Sequence, residues 1–149
     1  MDAEQQFQTF LDRFEPALAA RAAAILDRLR AQLRGATEIV YDNFNALVVG
    51  FGPSEKASQA IVSIAVYPRW VNLFFLQNGP ALDDPKALLK GAGSRVRHIR
   101  IEDPAQIDSA DIKAMIAQAL TTAKVPLDPT AVRRMAIRAV VANQRPRRP

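Results

Sequence analysis

Cysteine is absent from the 149 residues, which excludes a disulfide framework and any thiolate metal site. No apolar run approaches the ~20 residues that a bilayer-spanning helix needs. Histidine occurs once, at His98 between Arg97 and Arg100. A lone imidazole beside arginines lacks the second ligand or carboxylate of a metal site. No Ser-His-Asp triad can be assembled around it, although Ser63, Ser94 and Ser109 exist. Acid is missing from one region: residues 129–149 hold six arginines and no carboxylate. Residues 1–128 hold 14 Lys and Arg against 15 Asp and Glu, so the overall charge of +5 belongs to the last 21 residues. The opening Met1-Asp2-Ala3-Glu4-Gln5-Gln6 is acidic and polar, unlike a secretory leader. A cytoplasmic protein is expected.

What is present is an ordinary globular composition, 49% hydrophobic and 23% charged, long enough for one core. The longest apolar stretch runs from Ala60 to Leu76 and is broken at Pro68-Arg69. Its β-branched and aromatic halves predict two strands with those two residues as the turn. Val66 then faces Val71, Ile64 faces Leu73 and Val62 faces Phe75, an aliphatic face that must lie under helices. The reverse face pairs Tyr67 with Trp70, Ala65 with Asn72 and Ser63 with Phe74. A one-residue slip would exchange the two sets, so the apolar side pins the register.

Phe7, Phe10, Leu11 and Phe14 recur at helical spacing over residues 3–14. Pro16 opens a second helix whose stripe is Leu18, Ala22, Ile25, Leu26, Leu29 and Leu33, with Gly35 as its stop. Thr37–Tyr41 and Phe44–Phe51 read as strands leading into the hairpin. Asp84 and Pro85 predict a one-to-two-turn helix through Leu88 and Leu89, ended by Gly91-Ala92-Gly93. Arg95–Ile101 is a charged edge strand. Asp108-Ser109-Ala110-Asp111 resembles a capping box before a helix through Ile112, Met115 and Ile116. Asp128-Pro129 predicts a final helix carrying Val132, Met135, Ile137, Val140 and Val141. The expectation is an α+β fold: a mostly antiparallel five-stranded sheet flanked by N- and C-terminal helices, one domain over 1–143 and a basic disordered tail over 144–149.

Two places carry a binding reading. The hairpin's mixed face (Tyr67, Trp70, Asn72, Phe74) suits a pocket or a dimer interface, and the alternative is that helices cover it. In the loop from Lys90 to Arg97, glycines at Gly91 and Gly93 allow backbone amides to converge on an anion, with Lys90, Arg95 and Arg97 supplying charge. The loop is neither a Walker loop nor a Rossmann fingerprint, and a helix C-cap followed by a tight turn is the plainer explanation of it. The acidic pairs Asp83-Asp84, Glu102-Asp103 and Asp108 with Asp111 stand where caps explain them. The basic C-terminal segment reads as an amphipathic helix with a ragged end, and it lacks interleaved aromatics for stacking bases.

Several stretches together resemble the YdhG-like family, a domain of unknown function. They are Tyr41-Asp42-Asn43-Phe44-Asn45-Ala46, Val71-Asn72-Leu73-Phe74-Phe75-Leu76, Asp84-Pro85 with Leu88-Leu89-Lys90-Gly91-Ala92-Gly93, and Arg97-His98-Ile99-Arg100. The resemblance covers a little over half of the chain and implies a frataxin-like α+β fold. Some relatives are regarded as iron chaperones. Here Asp2, Glu4, Asp12 and Glu15 are diluted by Arg13, and Tyr41-Asp42-Asn43-Phe44 replaces the Tyr-Gly-Met-Pro turn of many relatives, so fold transfers and iron chemistry does not. The expected function is a non-enzymatic module binding a small molecule or protein, with a homodimer as one form. The alternatives are a frataxin-like iron-handling protein and an enzyme acting on an anionic small molecule. No catalytic residue, cofactor, metal or membrane partner is expected, and nucleic acid only through the basic tail.

Overall fold

The computed structural model describes all 149 residues. Helix α1 (Ala3–Leu11) is closed at its start by a reciprocal cap, in which Asp2 accepts from the Gln5 amide and the Gln5 side chain accepts from the Asp2 amide. Helix α2 (Pro16–Gln32) begins with proline at its first position, where no intrahelical N–H is needed, and buries Leu18, Ala22, Ile25, Leu26 and Leu29. Gly35 then turns the chain at φ 79° into β1 (Thr37–Asp42). Strands β2 (Leu47–Gly52), β3 (Val62–Val66), β4 (Val71–Phe75) and β5 (Arg97–Arg100) follow as an antiparallel succession. Helix α3 (Ala110–Thr121) comes next, and β6 (Arg134–Val140) closes the fold.

The sheet order is β5-β4-β3-β2-β1-β6, with β6 parallel to β1. The hairpin has the register its alternation predicts: Val66 opposite Val71, Ile64 opposite Leu73 and Val62 opposite Phe75, with the Tyr67 amide donating to the Trp70 carbonyl across Pro68-Arg69. Followed across the sheet, Val40, Val49, Ile64, Leu73 and Ile99 form one inward row. That row packs with residues of all three helices in a single core. Ile39, Gly50, Ser63, Phe74 and His98 form an outward row, as do Tyr41, Val48, Ala65, Asn72 and Arg100. None of these ten belongs to the apolar cluster under the helices, although Ile39, Ser63 and Ala65 are themselves buried, so the helices form one layer over one face. No helix is long and apolar enough to cross a membrane.

The fold is α+β, but its sheet is mixed and six-stranded rather than mostly antiparallel and five-stranded. The extra strand is the segment expected as the last helix. Met135 and Ile137 alternate with Arg134, Ala136 and Arg138, a period of two, and the first pair packs against the core beside β1. Asp128 and Pro129 start only a single turn, with Asp128 accepting from the Thr130 amide. The short helix expected after Asp84 is also a loop. The Asp84 carboxylate accepts from both the Leu88 and Leu89 amides at 2.8 and 2.9 Å, and Ala87 at φ 52° stops helical propagation. The cap of α3 is Ser109, which accepts from the Ile112 amide, while Asp108 pairs with Arg28. Asp103 and Gln106 form a reciprocal cap on the 3-10 turn Pro104–Asp108 just upstream.

Candidate functional site

β1 carries two carboxylates four residues apart on its inward side, Glu38 and Asp42, both essentially without solvent contact. Each is held by two arginines from opposite ends of the chain. Arg30 of α2 donates to both Glu38 oxygens at 2.9 Å, and Arg133, entering β6, lies 3.1 Å from one of them. That second contact is a charge contact without a directed hydrogen bond. Burial works against the Arg133 charge most strongly, but its hydrogen bond to Glu4 and the nearby Glu38 carboxylate outweigh it and raise the pKa. Asp42 is held from one side by Arg13, at the end of α1, and from the other by Arg147 at 2.9 Å.

The Asp42 clamp organises the end of the chain. After β6 the Val141 amide and the Gln144 side chain donate to the Asp42 carbonyl, each at 2.9 Å, and the Arg145 amide donates to the Phe44 carbonyl. Arg147 is 5% exposed; it also donates to the Asn43 carbonyl and lies 5.7 Å from the Phe14 ring. Arg148 donates to the Arg13 carbonyl at 3.1 Å. Pro146 and Pro149 restrict the backbone on either side. Residues 144–149, expected to fray, are therefore seated on β1 and the β1–β2 turn, with Arg147 inward and Arg145 and Arg148 outward.

That arrangement builds one wall of a cavity of about 700 Å³ at the end of the sheet. Arg145, Pro146, Arg148 and Pro149 face the hairpin turn of Tyr67, Pro68, Arg69 and Trp70 across it, with Asn45 from the β1–β2 turn beside them. Tyr67 and Trp70 are tilted against each other at 5.5 Å, and the Arg100 guanidinium lies 4.6 Å from the Trp70 ring. The lining holds three arginines and no acidic side chain. A second concavity of about 450 Å³ lies at the β4–β5 edge, among Asn72, Leu88, Lys90, His98 and Arg100.

The residues singled out in the sequence are divided between these places. Tyr67 and Trp70 line the first cavity, Asn72 and Lys90 the second, and Phe74 stands beside His98 with ring centres 5.3 Å apart. Gly91, Gly93, Arg95 and Arg97 line neither. In their loop, Arg97 donates to the Gly93 and Val96 carbonyls at 2.5 and 2.8 Å, so that guanidinium is taken up by its own loop. Arg95 is exposed, and its carbonyl accepts from the Gly79 amide. Nothing local marks Asn45, Arg145 or Arg148 as neighbours of Trp70; the one available signal is that the tail is purely basic. Of the N-terminal acids, Asp2 caps α1, Glu4 pairs with Arg133 and Asp12 accepts from Gln8. No group of three or more His, Asp or Glu side chains is placed to hold a metal ion. Asp128, at the start of the approach to β6, has its carboxyl held below the usual range by the Thr130 hydroxyl and then the Thr130 amide. Comparison with protein-family models, with curated proteins and with solved structures finds no match for the chain.

Proposed function

We propose that this protein is a cytoplasmic, non-enzymatic binding module of the YdhG-like family, whose ligand is an anion carrying a planar ring. The observation that carries this is the lining of the larger cavity: Arg69, Arg145 and Arg148 with Tyr67 and Trp70, and no carboxylate among them. Guanidinium groups pair with phosphate or carboxylate oxygens through forked hydrogen bonds, and the aromatic pair offers a stacking surface. A volume near 700 Å³ lies in the range of small-molecule sites and accommodates a nucleotide. The same lining offers no acid, histidine, serine or lysine, so it supports holding a ligand rather than transforming one.

Trp70 is the chain's single tryptophan, which makes its emission a direct report on the cavity. Titration with ATP is expected to change it saturably, adenosine and inorganic pyrophosphate to act more weakly, and Arg148→Ala to weaken the ATP response about tenfold, as for one lost charge-assisted contact. An unchanged emission up to about millimolar ATP, which leaves less than ~4 kcal/mol of binding, would exclude the reading.

A further inference from the structure

We infer that the helix-free sheet face binds single-stranded nucleic acid, with the cavity at the Pro68-Arg69 turn as one end of a longer track. The inference rests on the cavity reading above and extends it along β4.

Charge is sorted by face. Both strand carboxylates, Glu38 and Asp42, point inward and are ion-paired, while the two outward rows contain no acid. Arg69, Arg145, Arg148, Arg100 and Lys90 line the two concavities, and none of them is in an ion pair. The concavities adjoin, because Trp70 lines the first, Arg100 lines the second, and the guanidinium of one lies over the ring of the other. A ligand that spans both must present negative charge repeatedly.

Planar groups run the same way. Trp70 just before β4, then Asn72 and Phe74 within it, succeed one another at alternate positions, with His98 against Phe74. Aromatic rings and guanidinium planes are the surfaces on which unpaired bases stack. The Asn72 amide lies between them, half-buried; such an amide offers both a donor and an acceptor to a base edge. Gly50, Ser63 and Ala65, all buried, add no bulky side chain to the adjoining part of the sheet. Trp70 to Phe74 spans about 13 Å of strand, and stacked nucleotides advance ~3.4 Å each, so the track matches about four. A duplex buries its base faces and cannot use such a track.

Fluorescence anisotropy of labelled oligouridine and oligothymidine of about ten nucleotides tests this. Binding is expected to be tighter than that of ATP and to weaken with salt, with a log–log slope of about −3.5 if five cations engage at ~0.7 each. Phe74→Leu should weaken it about tenfold. Lys90→Ala should lower the salt slope while leaving the ATP response of Trp70 unchanged. Circular dichroism confirms that each variant is folded. The two oligonucleotides separate RNA from DNA as the ligand. Equal affinity for a duplex of the same length, or equally effective competition by heparin, overturns the inference, since charge alone would then suffice. If ATP acts on Trp70 and oligonucleotides bind no tighter, the track is wrong and the cavity stands. If neither ATP nor oligonucleotide binds, both fall.

Discussion

Asp42 is where the two ends of the chain meet at the scale of single residues. Its carboxylate is 1% exposed; Arg13 reaches it from a side chain 43% exposed, and Arg147 from one only 3% exposed. Removing a charge from a buried pair leaves its partner desolvated without compensation, at a cost of about 3–5 kcal/mol. Removing an exposed partner costs about 1 kcal/mol or less. Asp42→Ala is therefore expected to lower the unfolding free energy by about 3 kcal/mol, and Arg13→Ala by about 1 kcal/mol or less, as read by urea denaturation. Equal, small losses would show that Arg147 is not held by this clamp. In the sequence, Asp42 with Asn43 reads as punctuation between strands. Its burial follows from a parity that adjacent residues do reveal, since Val40 and Asp42 share a side of β1, but its partners lie 29 and 105 residues away.

At the scale of elements, hairpin and helices were legible and the last strand was not. Pro68-Arg69 between two β-branched runs is a local signal, and its register follows from alternation alone. The segment from Arg133 to Val141 offers arginine and alanine, which favour helix, together with an alternation that favours strand. Packing settles it: as a strand, the segment hydrogen-bonds to the free edge of β1 and places Met135 and Ile137 on the core. The approach to β6 crosses Gly35 so closely that an added Cβ would lie 1.9 Å from the Asp128 carbonyl oxygen, at a backbone φ of 79°. Gly35→Ala is expected to destabilise by about 1–3 kcal/mol from the backbone strain alone. It should also displace Asp128 and loosen β6, seen as faster amide exchange from Met135 to Ala139 than from β3. Unchanged exchange with an unchanged thermal midpoint would contradict this geometry.

For the whole molecule, folding separates charge from apolar surface in an uneven way. All three helices cover one face, the strand acids are spent on that side, and the opposite face keeps unpaired cations beside aromatic rings. The C-terminal residues matter to both faces, because Arg147 anchors them inward while Arg145 and Arg148 complete the cavity. Deleting residues 144–149 is expected to cost about 3 kcal/mol through the lost buried pair. It should also abolish the Trp70 response to ATP, with far-ultraviolet circular dichroism retained. A fraying tail would instead be dispensable for both, so a neutral deletion would remove the clamp and the cavity wall together.

Properties carried by neighbouring residues were settled by the chain alone: the helix stripes, the proline start of α2, the Pro68-Arg69 bend, the inward and outward sets of β3 and β4, and the basic charge of the end. These depend on φ restrictions and on periods of two or 3.6, which need no distant partner. Only the tertiary structure decided that residues 134–140 lie beside β1, that Arg147 enters the protein while Arg145 and Arg148 do not, and that these arginines face Trp70. The physical reason is that a buried carboxylate and an unpaired strand edge each require a partner, and sequence does not specify which distant segment can reach them until the core has formed.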